Sequence, residues 1–144
     1  MDIRGSRVMD DKEKIMRNIL ENNDYIRFLG MEFLEVRQDY AYTRMKYKKE
    51  IANPYGTLHG GSLYSLADVT AGTAACMGGY YVTTVSGTMN FMLPADRTEY
   101  VYCKASMLRG GKHLAVYEVK LLNDADMLLD SGEFTFYVTK EKLG

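Results

Sequence analysis

Apolar residues near the start of the chain recur at helical spacing. Ile15, Met16, Ile19 and Leu20 fall on one stripe, with Asp10 or Asp11 placed to cap a helix and Asn22-Asn23-Asp24 to end it. Such a stripe predicts a short helix packed on a core. From Met31 the period changes to two. MEFLEVRQ and YAYTRMKYK read as strands turned around Gln38-Asp39, the second setting Ala41, Thr43, Met45 and Tyr47 against Tyr40, Tyr42, Arg44 and Lys46. Next, SLYSLADVTAGTAACM places Leu63, Leu66, Ala67, Thr70 and Ala74 on one helical face. Everything after it reads as strand. Tyr81 to Leu93 is rich in Val and Thr and closed by Pro94. Thr98 to Leu108 alternates, an Arg109-Gly110-Gly111-Lys112 turn leads into HLAVYEVKLLN, and Asn123-Asp124-Ala125-Asp126 leads into MLLDSGEFTFYVT.

One central helix between a leading hairpin and a run of antiparallel strands is an α+β pattern. A helix rich in Ala, Gly and Ser is thin enough for a curved sheet to wrap closely. Residues 1–24 read as an N-terminal helical extension and 25–144 as the main domain. A sheet this large with one helix has unpaired edges, which homodimerisation through strand pairing would remove.

Composition narrows the functional classes. The 144 residues are 47% hydrophobic, enough for one ordinary domain with a core. Eighteen basic against 19 acidic residues leave a net charge of −1, which argues against a broad nucleic-acid or anionic-membrane surface. Two cysteines, Cys76 and Cys103, form no disulfide framework and lack metal-ligand spacing, and two histidines stand far apart. No metal site or cofactor is expected. MDIRGSRVMDDKEK has no apolar signal-peptide core, and no apolar run approaches the ~18 residues that a membrane span needs. The expectation is a cytoplasmic protein.

The chemistry concentrates in NPYGTLHGGSLYSLAD, residues 53 to 68. Asn53-Pro54 favours a turn and Gly56 permits unusual backbone angles. Gly60 and Gly61 stand where the helix begins, so their N–H groups are donors of its unsatisfied first turn, and the helix dipole adds positive charge there. Bare donors of this kind suit a carbonyl that gains negative charge as it is attacked. Equally, Gly-Gly before a helix serves as a plain turn. His59 precedes the pair and is placed to hold the turn or orient the glycine donors. Asp68 lies amid Leu66, Ala67, Val69, Ala71 and Ala74, company in which acids are seldom left unpaired. It is either part of a polar face with Ser65 and Ser62 or a functional group. Eight residues of helix separate it from Gly60 by roughly 12 Å. If both serve one reaction, they come from different chains, with antiparallel helices side by side at a two-fold axis.

Asn53, His59-Gly60-Gly61 and Asp68 together resemble the signature of hotdog-fold thioesterases of the phenylacetate-pathway (PaaI-like) type. TTVSGTMNFMLPA, with Ser86, Met89-Asn90 and Pro94-Ala95, extends the likeness, as do the RGGKHLAVYEVKLLN hairpin and the closing strand, so that it covers roughly residues 25 to 138. The resemblance implies a hotdog fold and hydrolysis of an acyl-CoA thioester. It implies that Gly60 donates its N–H to the thioester carbonyl, that Asn53 contacts the reacting group and that His59 supports it. Asp68 of the partner subunit is then general base or nucleophile, and Ser86 places that Asp or the water. Homodimers with shared sites, and homotetramers built from them, go with this reading. Gly61 belongs to the same turn. Arg109 and Lys112, by charge and turn position, are candidates for the CoA phosphates or simply solvated charges. The rival reading is a non-catalytic acyl-CoA-binding hotdog module, which has no need of a carboxylate near the carbonyl.

Overall fold

In a computed structural model the described residues are 9–144, so the first eight residues of the expected N-terminal extension lie outside them. The elements are α1 (Asp11–Glu21), α2 (Asp24–Leu29), β1 (Met31–Arg37), β2 (Tyr40–Lys46), α3 (Gly60–Cys76), β3 (Tyr80–Phe91), β4 (Tyr100–Gly110), β5 (Leu114–Leu122) and β6 (Leu128–Lys142). The strands form one six-stranded sheet in the order β1-β2-β4-β5-β6-β3. Every neighbouring pair is antiparallel. The α+β expectation of one long helix against a large antiparallel sheet holds. β1 and β3 form the two edges.

Packing of α3 explains the wealth of small residues in it. Leu63, Leu66, Ala67, Ala71 and Ala74 are buried against Met45, Val101, Cys103, Tyr117, Phe134 and Phe136 of the sheet. Thr70 is buried too, and its hydroxyl donates to the Leu66 carbonyl at 2.6 Å. With that proton committed, Thr43 is the donor in the 2.7 Å contact between the two threonine hydroxyls. Gly87 is required by this close approach. A Cβ there would stand 2.3 Å from the Tyr64 Oη and 2.4 Å from the Phe134 ring.

The N-terminal segment differs from expectation in one respect. Asp10 caps α1, its carboxylate accepting from the Glu13 N–H at 2.8 Å. Asn22-Asn23-Asp24 does end α1, but Asn23 then caps a second helix by accepting from the Ile26 N–H at 3.0 Å, and Gly30 closes it at φ 74°. Six residues are too few to display a helical period, so the pattern of α2 was not readable. Met16 and Leu20 pack with Cys76, Met77 and Leu143, so the stripe of α1 covers the C-terminal end of α3. The N-terminal end of α3 is left open. β4 also runs through Arg109 and Gly110, two positions further than the expected turn. Among the described residues no helix is long and apolar enough to cross a membrane.

Candidate active site

Asn53 builds the loop that leads into α3. Its side-chain oxygen accepts from the N–H groups of Tyr55 at 2.9 Å and Thr57 at 3.1 Å, and its amide donates to the Thr57 hydroxyl at 2.7 Å. Gly56 turns the chain at φ 88°. One amide hydrogen of Asn53 is left over from these bonds. The Ser62 hydroxyl then ties loop to helix, sitting 2.7 Å from the His59 carbonyl and 3.1 Å from that of Ile51.

His59 is the N-cap of α3, with Nδ1 accepting from the Gly61 N–H at 3.0 Å. The bond needs a bare Nδ1, which leaves the ring proton on Nε2. It also engages the Gly61 donor within the chain. The Gly60 N–H has no acceptor among the described residues. A Cβ on Gly60 would make only ordinary van der Waals contact with the Phe91 ring, at 3.8 Å. The sequence therefore places two glycine donors at the helix start, and the structure leaves one of them unused.

That donor faces a pocket of about 260 Å³ lined by Asn53, Thr57, Leu58, Leu63, Phe91 and the 92–95 loop after β3, with Asp130 from β6. Asp130 had no sequence signal as a site residue. It is completely buried, at 0% exposure, and neither carboxylate oxygen has a hydrogen-bond partner among the described residues. Burial pushes its pKa up to about 6, with the nearby Met92 N–H pulling the other way. That N–H is itself bonded to the Leu129 carbonyl at 3.1 Å.

Asp68 does not reach this pocket in its own chain. It stands two helical turns along α3, about 12 Å from Gly60 by helical rise, half-buried and beside the β3 edge. Burial raises its pKa above the ordinary carboxylate value, and a 2.8 Å hydrogen bond from the Thr84 hydroxyl pulls it back. Ser86, the hydroxyl expected to help Asp68, is exposed. A bulge between Thr84 and Ser86 interrupts the ladder, and within the chain Thr84 is the residue that reaches the carboxylate. Ser65, the expected companion of Asp68 on a polar face, is bonded to the Tyr25 hydroxyl at 2.6 Å and to the Gly61 carbonyl at 3.0 Å.

Arg109 and Lys112 are exposed at the β4–β5 hairpin. Gly110 and Gly111 of this hairpin share a cavity wall with Ala75 and Gly78, so it lies at the C-terminal end of α3. The two cations are thus at the opposite end of the helix from Gly60 of the same chain. The structure gathers Asn53, His59, Gly60 and Gly61 at one end, leaves Asp68 midway, and puts the two cations at the other. Among the described residues no cluster of His, Cys, Asp or Glu could hold a metal ion.

Comparisons with known proteins agree with this architecture. The chain is 25% identical over 103 residues to the acyl-coenzyme A thioesterase PaaI of Escherichia coli K12, covering 72% of this chain and 74% of the relative. The solved structure of the Escherichia coli PaaI protein superposes with a TM-score of 0.86 at 20% identity, covering 92% of this chain and 96% of that one. A Streptococcus mutans protein solved bound to acetyl CoA superposes with a TM-score of 0.74 at 18% identity, over 78% and 90% of the two chains. The family model of the Thioesterase superfamily matches residues 55–129, more than half of the chain, a span that takes in His59, Gly60, Asp68 and Ser86. On that match, with the hotdog arrangement of helix and sheet, the chain belongs to the thioesterase superfamily.

Proposed function

We propose that the protein is an acyl-CoA thioesterase whose active sites are shared between two subunits. The observation that carries this reading is the Gly60 N–H, without an acceptor among the described residues at the start of a 17-residue helix and facing an open pocket. The thioester carbonyl oxygen accepts from that N–H, which with the helix dipole stabilises the negative charge of the tetrahedral intermediate. Asn53 contributes its remaining amide hydrogen, and His59 holds the turn in place through Gly61.

The attacking group comes from the partner subunit. β3 is an edge strand carrying exposed Val85 and Phe91, suited to pairing with its own copy. Antiparallel pairing of two β3 edges brings the Gly60 end of one helix alongside the middle and C-terminal parts of the other. The partner's Asp68 then takes a proton from water as it adds to the carbonyl carbon, or adds itself to give an acyl anhydride that water hydrolyses after CoA has left, freeing the acid and restoring the carboxylate. Collapse of the intermediate breaks the C–S bond and releases the CoA thiolate, which takes up a proton. The same pairing carries the partner's Arg109 and Lys112 toward the entrance, where they meet the CoA phosphates. Similarity to the PaaI thioesterase and to a protein holding acetyl CoA supports this substrate class. Asp68 favours hydrolysis over a binding-only module.

The test is free-thiol release from a panel of acyl-CoAs by the parent protein and by Asp68→Asn. Loss of a general base lowers turnover by about 10²–10⁴-fold while substrate binding persists. Unchanged turnover in Asp68→Asn sinks the mechanism, and a protein that sediments as a monomer at micromolar concentration sinks the shared site.

A further inference from the structure

The pocket at Gly60 contains a charge that this mechanism does not use. Along β6 the buried residues Asp130, Phe134 and Phe136 fall on one face, so the strand's period of two turns the Asp130 carboxylate toward α3. Across the ladders it stands beside Phe91 and Leu121. The other residues of the pocket wall bring no cation. Its polar members, Asn53 and Thr57, are bonded to each other. A buried carboxylate in such surroundings is costly, and a side chain needed only for packing would be apolar.

The position of Asp130 also says which part of a ligand it meets. The CoA arm must run outward, because its phosphates and nucleotide stay in solvent. Asp130 is wholly buried, so of a bound thioester the acyl group is the part placed to meet it. That space is otherwise lined mainly by Leu58, Leu63, Phe91, Leu93 and Ala95, and it can bury an aliphatic or aromatic stem.

We propose that Asp130 is a specificity-determining residue that accepts a hydrogen bond from a donor on the acyl group, an ammonium giving the strongest pairing. The proposal rests on the reading of Gly60 as the carbonyl site and names the substrates that site selects. Hydrogen bonds to a charged partner are the strong ones, and a hydroxyl donor gains less than an ammonium. An unsubstituted acyl chain leaves the carboxylate without a partner and is the poorer substrate.

The test measures kcat/KM at pH 7.5 for ω-aminoacyl-, ω-hydroxyacyl- and unsubstituted acyl-CoAs of matched heavy-atom count, with acyl chains of three to six carbons. Parent, Asp130→Asn and Asp130→Ala proteins are compared, with thermal melts of each. The parent is expected to prefer at least one aminoacyl member over its matched alkyl thioester by about tenfold or more. In Asp130→Ala that preference disappears, in Asp130→Asn the ammonium preference goes while some hydroxyl preference stays, and neither variant melts below the parent. Equal selectivity ratios in parent and Asp130→Ala at every chain length overturn the proposal. So does a uniform loss on all substrates, which makes Asp130 a structural or CoA-side group. If the parent hydrolyses no thioester, the thioesterase reading has failed separately. Calorimetric binding of matched aminoacyl and alkyl thioether analogues to parent and Asp130→Ala then decides the role of Asp130 by the same ratio.

Discussion

Replacing Asp130 by Asn should make the folded protein more stable at neutral pH. The substitution keeps the shape of the side chain and removes its charge. The pKa of Asp130 in the folded protein is about 6, against ~3.9 for an unperturbed Asp. Two pKa units correspond to about 3 kcal/mol, and solvent screening through the pocket mouth reduces this to about 1–3 kcal/mol. The sign follows from proton binding. Between pH ~4 and ~6 the folded state holds a proton that the unfolded state has lost, so stability falls as pH rises through this window. Above pH ~6 the cost is fully present, and below ~4 it is gone because both states are protonated. Thermal unfolding of parent and Asp130→Asn from pH 4 to 8 reads this directly. At pH 7.5 the variant should melt about 2–12 °C higher, at the usual 2–4 °C per kcal/mol for a chain near this size. The two curves should converge at pH 4. A variant that melts lower than the parent at pH 7.5 would mean that the carboxylate has a favourable partner in solution and is not a cost to the fold.

Other substitutions test neighbouring parts of the argument. Thr84→Val removes the hydroxyl bonded to Asp68 at 2.8 Å, a bond that favours the charged carboxylate. The acid limb of kcat/KM against pH should therefore move upward, and an unmoved limb would separate Thr84 from Asp68. His59→Ala removes the cap on α3 and should cost about 0.5–2 kcal/mol in urea unfolding. His59→Asn, which retains an acceptor, should recover most of the loss; no recovery would mean that the imidazole acts otherwise than as a cap. Gly87→Ala forces a methyl group into the Tyr64 and Phe134 contacts and should destabilise by about 1–3 kcal/mol. A cost below about 0.5 kcal/mol would show that α3 can move away from β3 freely.

Much of the candidate site's local geometry was legible because its parts are close in sequence. Asn53, Gly56, His59 and Gly60 act through hydrogen bonds and backbone angles spanning a few residues, and turn and cap chemistry is written in residue type and spacing. Asp68 was noticeable because an acid interrupts an apolar helical pattern, and helical rise alone separates it from Gly60. Thr84 was not singled out over Ser86, since both are hydroxyls on one strand. Only the bulge between them decides which approaches the helix.

Asp130 marks the limit of this kind of reading. An Asp between Leu129 and Ser131 near a strand start looks like many ordinary acids. Period two in the strand assigns its face, but what lies over that face depends on chain far away in sequence. Asn53 and Leu63 come from before and within α3, and Phe91 and Leu93 come from the end of β3 and the loop after it. Read alone, the chain specified the long helix, the strands, the turn that bares the Gly60 donor and the distance of Asp68 from it, but not α2, because hydrogen bonding and periodicity act between near neighbours. The tertiary structure decided which carboxylate is buried without a partner, because desolvation is set by everything packed around a charge and not by its neighbours in the chain.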